Sequence, residues 1–351
     1  MTFRPAAAAD RDAWQALLGS VSSGDFLHDW GWEAVAAYDG EPQRRFVVED
    51  DGSVVALAAA QVRGIGLGRS FWYVPHGPVV DFGHEQAPEW VRTLVEGLAV
   101  AARTDRAVAL RLEPRIDSGA PEAAILDGLA HRVPELLQVG QTRIVELGDD
   151  DTLLTGFDAD TRYAVRRAER EGVEVLLVTD PTDRSAVERL HGLVRETQRR
   201  AGFRLPPLER YWIAWQGLAG AGRACLVEAR RDDELLASGM LVVEGGQSFY
   251  LFAGSRRESP GEAKRYASYA VQWAMMREAR RQGAVRHDLW GVAPAKAGPD
   301  HPWYGVGLFK KGFGGRSVTW AGSWEIVIDP RIYRLRAAAA RLRRRTPRDV
   351  P

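Results

Sequence analysis

In the first half of the chain, apolar residues come in short β-prone pieces separated by turn residues. Phe46-Val47-Val48 and Val54-Val55-Ala56-Leu57 flank Asp51-Gly52, which predicts strand, turn and strand over 45–57. Ser70 to Pro75 is a second, aromatic run, and His76-Gly77-Pro78 imposes a sharp bend after it. From Glu89 to Arg103 the apolar positions Trp90, Leu94 and Leu98 recur at helical spacing, and a strand is predicted over 107–112. A second series starts after the acidic turn Gly148-Asp149-Asp150-Asp151. It opens with a basic helix over 161–171 stopped by Gly172, then a strand over 173–178 and helices over 183–200 and 208–218. Strands over 224–230, 235–243 and 247–253, a helix over 261–282 and a strand over 285–289 complete it, ahead of a glycine-rich region and an alanine- and arginine-rich helix over 333–345.

The two series share an order of hairpin, strand, helix and strand. That is a weak duplication of a mixed α/β unit, and it resembles two acetyltransferase-like (GNAT) lobes in tandem. The length of 351 residues suits two domains of ordinary size. No apolar run approaches the ~20 residues needed to span a bilayer, and the start of the chain lacks the apolar core of a signal peptide. A single cysteine, Cys225, excludes an internal disulfide and a cysteine metal cluster. The expectation is a cytoplasmic protein.

Formal net charge is zero, so attraction to nucleic acid must come from local basic patches. There are only four lysines, Lys264, Lys296, Lys310 and Lys311, against 43 arginines. Where arginine stands almost everywhere, a surviving lysine marks a place where a compact ammonium is wanted, or a chance survivor on the surface. The seven histidines show no metal-site spacing, His287-Asp288 reads as structural, and neither a nucleophile elbow nor a Walker loop is present.

Seven local patterns occur in order over nearly the whole chain. They are Phe26-Leu27-His28-Asp29-Trp30; Tyr73-Val74-Pro75-His76-Gly77-Pro78-Val79-Val80-Asp81; Thr161 to Glu169 with Gly172-Val173; and Thr197 to Phe203 followed by Tyr211. The remainder are Tyr250-Leu251-Phe252-Ala253-Gly254-Ser255, Asp288-Leu289-Trp290-Gly291-Val292 and Gly307-Leu308-Phe309-Lys310-Lys311-Gly312-Phe313-Gly314-Gly315. Together they resemble the Fem family of peptidoglycan aminoacyltransferases, in its short form without a coiled-coil arm. The resemblance implies an α/β (α+β) chain of two tandem GNAT-like lobes. Lobe 1 would span 1–147 on the acceptor side, completed by the C-terminal helix 331–351, and lobe 2 would span 148–330 on the aminoacyl-tRNA and catalytic side. It implies a monomer with aminoacyl-tRNA as co-substrate, an amine of a muramyl peptide as acceptor, and neither cofactor nor metal.

By the same resemblance Phe309 and Lys310 match the family's C-terminal site pair, Asp81 an acidic residue at the acceptor cleft, and Tyr211 and Tyr250 tyrosines of the acceptor groove. His76 lies at the bend that leads to Asp81. With the donor ester already activated, the enzyme positions an amine and stabilises a tetrahedral oxyanion, which a Lys310 ammonium suits. The residues leave alternatives open. Lys310 is either that cation or an exposed lysine beside a glycine turn; Asp81 either orients and deprotonates the attacking amine or caps a turn; either tyrosine also suits a core. Arg162, Arg166 and Arg170 fall at i, i+4 and i+8, with Arg167 beside them, as a stripe for tRNA phosphates or a solvated helix face. The basic tail suits tRNA, an anionic membrane surface contacted peripherally, or solubility alone.

Two departures bear on the acceptor. The phosphate grips of the family's UDP-precursor enzymes fall on Ala36 or Ala37 and on Pro207, with Arg204 or Arg210 as the compensating substrate-binding candidates, neither in register. The acceptor is then a UDP-linked precursor, a lipid-linked one, or the amine of a natural-product intermediate. An acyl-CoA donor is the other enzyme class. It would bind through a glycine-rich loop before a helix, where Ser259-Pro260-Gly261-Glu262-Ala263-Lys264 has few glycines and an acid.

Overall fold

The structure is a computed structural model and describes residues 1–201, 204–256, 266–294, 296–301 and 303–336. The segment 257–265, with the Ser259–Lys264 loop and the start of the predicted helix 261–282, lies outside the described residues, as does the tail beyond 336.

The chain forms two compact units of mixed α/β structure. One comprises residues 1–17, 36–138 and the chain from 321 on; the other comprises 18–35 and 139–320. In the first unit β1 (Thr2–Pro5) precedes α1 (Arg11–Ser20) and, after the 18–35 segment, α2 (Glu33–Tyr38). Then come β2 (Gln43–Asp50), β3 (Ser53–Gly66), β4 (Arg69–His76), β5 (Val79–Val80), α3 (Ala87–Thr104), β6 (Ala107–Pro114), α4 (Ala124–Asp127) and β7 (His131–Val133). The sheet runs β1-β2-β3-β4-β6, then a strand at Ser323–Val327, then β7, with β5 paired to β3. Helix α3 lays Trp90, Val91, Leu94, Val95 and Leu98 on this sheet, the i, i+4 stripe that its sequence predicts. A Cβ at Gly97 would lie 2.3 Å from the Phe3 ring, so glycine there lets β1 close over the helix.

The second unit holds β8 (Gln141–Glu146), α5 (Asp150–Gly156), α6 (Ala159–Arg170), β9 (Glu174–Val178), α7 (Arg184–Ala201), α8 (Leu208–Gly220) and β10 (Ala224–Arg231). It continues with β11 (Glu234–Glu244), β12 (Gln247–Ser255), α9 (Ala267–Arg281), β13 (Arg286–Asp288), α10 (Tyr304–Gly312) and β14 (Arg316–Thr319). The sheet order is β14-β8-β13-β12-β11-β10-β9. Side chains of α7 and α8 pack one cluster around Trp215, Met240 and Phe249, and α9 packs another around Val227, Leu241 and Met275. Only β12 and β13 run parallel in this sheet, and they pair through just three positions, Gln247–Arg286 to Phe249–Asp288. Past Phe249, β12 continues to Ser255 without that partner.

The boundaries expected from the sequence are corrected by strand pairing. β8 ends before residue 147 yet pairs with β13 and β14, so the second unit begins at 139. The first unit is completed by a full strand, Trp324 to Val327 against Leu112 to Ala109, ahead of the helical turn at 330–336. The 18–35 segment belongs to the second unit. Gln247 Nε2 donates to the carbonyls of Val21 (3.1 Å) and Gly24 (2.9 Å), and Gly245, at φ +56°, sits against Gly19, where a Cβ would clash at 2.2 Å. Asp25 and Asp29 cap the two 3-10 turns of this segment.

Asp29 also hydrogen-bonds Glu244, which is fully buried with the Arg223 guanidinium 3.6 Å away. Burial, then repulsion from Asp29, pushes the Glu244 carboxyl from 4.5 up to about 9, against the pull of Arg223. A carboxyl raised in the fold contributes stability that is full below its unfolded pKa and is lost as pH climbs toward the folded one. Glu244→Gln is therefore expected to flatten the fall in melting temperature between pH 5 and pH 9; an equal fall in both proteins would contradict the assignment.

Candidate active site

Lys310 lies on α10, a helix rich in glycine and poor in intrinsic propensity (Gly305, Gly307 and Gly312). Tertiary contacts hold it. Phe309 makes edge-to-face contacts with Tyr269 (5.1 Å between centroids) and Phe313 (5.2 Å), and Phe313 packs on Phe157 at 5.1 Å. A Cβ at Gly312 would lie 2.2 Å from Thr161 Oγ1. Gly314 and Gly315 adopt φ of +72° and +69°, and a Cβ on either would strike a carbonyl oxygen at 2.3 Å, of Gly156 and of Ile144 respectively. Arg143 Nη1 then donates to the carbonyls of both glycines, at 2.6 and 2.9 Å. The end of α10 is thus clamped against α5, α6 and β8.

The clamp fixes a buried cation. Lys310 is only 6% exposed, which overturns the reading of an exposed lysine beside a turn. Its Nζ donates to the Gly291 carbonyl at 2.7 Å, with the Trp290 carbonyl at 3.4 Å, and lies 5.8 Å from the centre of the Tyr250 ring. Burial lowers the ammonium from 10.5 to about 8, and the charge of Asp288 opposes that fall. At neutral pH the group remains mostly protonated. Lys310 borders a cavity of about 460 Å³ that opens where β12 outruns β13. Tyr250, Phe252, Trp290, Val271 and Phe309 line it, so its walls are largely apolar. Ser238 also lines it, with a buried hydroxyl that has no hydrogen-bond partner among the described residues.

The structure thus brings Lys310, Phe309 and Tyr250 to one cavity. Burial raises the Tyr250 phenol well above its usual range, so it stays protonated. Tyr211 stands behind the wall, buried, its ring 4.2 Å from Phe252 and 5.0 Å from His191, with its phenol raised to about 12 by burial. Arg204 is exposed. In the first unit, His76 is buried at the end of β4 with φ +48°. Asp81 is exposed, and its Oδ1 accepts from the Gly83 amide at 3.1 Å, the turn-capping geometry.

The arginines of α6 divide. Arg162 turns back to donate to the carbonyls of Phe157 and Thr155, and Arg167 pairs with Glu171, while Arg166 and Arg170 are exposed. His287 is fully buried between Ser248 (2.8 Å) and Gln272 (2.6 Å), and burial depresses it to about 3. Because the Ser248 hydroxyl donates to the Arg286 carbonyl, it accepts from Nδ1–H, and Nε2 accepts from Gln272. This neutral histidine braces the sheet beneath the cavity. Among the described residues, no three His, Cys, Asp or Glu side chains are grouped to hold a metal ion, and no helix is long and apolar enough to cross a membrane. The sequence reading missed the carbonyls of Trp290 and Gly291 as the lysine's partners, since nothing in a sequence marks a tryptophan for a left-handed backbone.

Known proteins share this chain's fold and part of its sequence. The FemAB family profile matches residues 224–341, the stretch that carries β12, Trp290 and Lys310. A UDP-N-acetylmuramoylpentapeptide-lysine N(6)-alanyltransferase of Weissella viridescens is 25% identical over 338 residues, covering 92% of this chain and 95% of that protein. A lipid II:glycine glycyltransferase of Staphylococcus aureus is 22% identical over 400 aligned positions, covering 91% and 92%. A crystal structure of FemX superposes with a TM-score of 0.85 at 20% identity, over 95% of this chain and 99% of that one. The chain thus resembles the Fem family over most of its length. A tandem GNAT protein from the clavulanic acid pathway shares the fold at a TM-score of 0.53 and 17% identity, over 94% and 99% of the two chains. The fold shared with FemX is thus a tandem GNAT-like one.

The glycine clamp on Lys310 has a measurable consequence. Gly315→Ala, which meets both a positive φ and a carbonyl, is expected to cost about 1–3 kcal/mol in chemical denaturation. Gly192→Ala, in the middle of α7 with open space around it, should stabilise by roughly 0.5–1 kcal/mol. Equal effects of the two substitutions would show that the clamp is not tight.

Proposed function

We propose that this chain is an aminoacyltransferase that forms an amide on an amine of a muramyl-peptide precursor, taking the aminoacyl group from the ester of an aminoacyl-tRNA. The observation that carries the reading is the buried Lys310 ammonium at the wall of a largely apolar cavity. Two backbone carbonyls lie within reach of Nζ, which leaves a third N–H for a ligand. Attack of the acceptor amine on the ester carbon turns the carbonyl oxygen into an alkoxide. A cation in a water-poor pocket stabilises that charge far better than bulk water does. Collapse of the tetrahedral intermediate expels the ribose hydroxyl and leaves the amide. The relatives support the acceptor class, since their names specify a muramoylpentapeptide lysine and lipid II.

The two departures from the UDP-precursor pattern favour an acceptor gripped in another way. Ala36 is buried, Pro207 caps α8, and the Arg210 guanidinium lies over the Trp32 ring at 5.6 Å. A lipid-linked precursor or a smaller natural-product amine therefore stands beside the UDP-linked peptide as acceptor. The basic surface of Arg166 and Arg170 suits the RNA part of the donor.

The test is a mass-shift assay with total charged tRNA against UDP-linked and lipid-linked muramyl peptides and small amines. A product heavier by one aminoacyl residue is expected, and Lys310→Ala should lower its rate of formation by about 10²–10³-fold with acceptor binding retained. Lys310→Arg should not rescue, because a planar guanidinium does not fit a site built for a compact ammonium. Product formed from acyl-CoA and not from charged tRNA would overturn the donor assignment.

A further inference from the structure

Trp290 has a backbone φ of +62°, a region that bulky residues avoid. Two groups hold it there. Its ring sits among Phe26 (5.2 Å) and Phe249 (6.1 Å), and its amide donates to Asp288 Oδ1 at 2.8 Å. The same Asp288 oxygen accepts a short hydrogen bond from the Thr142 hydroxyl on the neighbouring strand β8. The carboxylate is buried at the end of β13, and the turn it anchors presents the carbonyls of residues 290 and 291 to Lys310.

We propose that Asp288 is a positioning residue for Lys310: it locks the left-handed turn whose two carbonyls aim the ammonium, and its carboxylate is the countercharge to that ammonium. The inference rests on the reading of Lys310 as oxyanion donor. Its structural half stands on the hydrogen bonds alone. Among the described residues, the groups that face Nζ are these. Asp288 approaches from β13 and the Tyr250 ring from β12, and Lys311, next along α10, is exposed. Burial drives the ammonium toward its neutral form, with Asp288 as the opposing charge. Carbonyl acceptors add to the preference for the charged state, since a neutral amine donates more weakly. Activity that needs the ammonium is present below its pKa and lost as pH rises through about 8.

With only four lysines in the chain, 13C-labelled lysine gives few Cε signals to follow by NMR, and Lys310→Arg assigns the one that matters. In the intact protein its midpoint is expected near pH 8. Asp288→Asn keeps an acceptor for the Trp290 amide but removes the charge, and should lower that midpoint by at least about one pH unit, a tenfold loss of proton affinity. The alkaline limb of the rate profile should move with it while KM holds. Thr142→Val, which keeps the carboxylate but frees it to rotate, should lower kcat several-fold and leave the midpoint nearly in place. It also serves as the test if Asp288→Asn fails to fold. A Lys310 midpoint unchanged in folded Asp288→Asn, or an unaltered kcat in Thr142→Val, overturns the proposal. A midpoint that moves without the rate profile supports the hold of Asp288 on Lys310 and refutes the role of Lys310 in the reaction.

Discussion

A lysine ammonium taken out of water must find its solvation in the protein, and for Lys310 the backbone supplies it. Moving an unpaired charge into an apolar interior costs several kcal/mol or more. The carbonyls of Gly291 and Trp290 offset that cost at 2.7 and 3.4 Å. The rest of the second unit can be read as the scaffold that keeps this contact in place. The short parallel pairing of β12 and β13 opens the cavity, the aromatic cluster of Phe157, Tyr269, Phe309 and Phe313 fixes α10 from one side, and three glycines let its end press on the Thr161 side chain and on the backbone of Gly156 and Ile144. None of these features is stabilising by local propensity. Each is held by packing at long range.

The same unit carries other buried polar groups, and they divide by whether a counterpart satisfies them. His287 is neutral and bonded at both nitrogens, so it braces the sheet without titrating near pH 7. Glu244, its carboxyl raised by burial, hydrogen-bonds Asp29 where the 18–35 segment meets the end of β11, a joint that holds best while Glu244 is neutral. Ser238 differs, since its hydroxyl is buried in the cavity wall without a partner among the described residues. A buried donor left open in a protein interior is costly unless a ligand or a water answers it. The cavity therefore has a cation and a hydroxyl to offer a polar guest, within walls that otherwise repel water.

Period and turn chemistry made the regular elements legible. The 45–57 hairpin, the helix from Ala87 to Thr104 and the strands of β10, β11 and β12 follow from alternation, i, i+4 spacing and Asp-Gly or charged turns. β3 runs nine residues past its expected end because Ala58, Ala59 and Ala60 are small enough to be buried beneath side chains that a hydropathy pattern undervalues. Helix α10 was hidden by its glycines, and β8 by its position ahead of the acidic turn that reads as a boundary. In the site, the chemical identity of Lys310 was visible in an arginine-rich chain, but its burial was not, because burial belongs to partners distant in sequence. The basic stripe on α6 was visible as spacing; that Arg162 spends its donors on the carbonyls of Thr155 and Phe157 was not. Asp81 admitted two readings from sequence, and the one seen is the turn cap.

The central claim is that a spare N–H of the buried Lys310 ammonium meets the oxygen of a reacting carbonyl. The most direct measurement is a crystal structure with a phosphonate that mimics the tetrahedral adduct of an aminoacyl ester and an amine. The account predicts a phosphonate oxygen about 2.7–3.1 Å from Nζ, with the bond to the Gly291 carbonyl retained and the aminoacyl side chain in the cavity beside Tyr250 and Phe309. A bound phosphonate whose oxygens find other donors while Lys310 keeps only its backbone partners would contradict it.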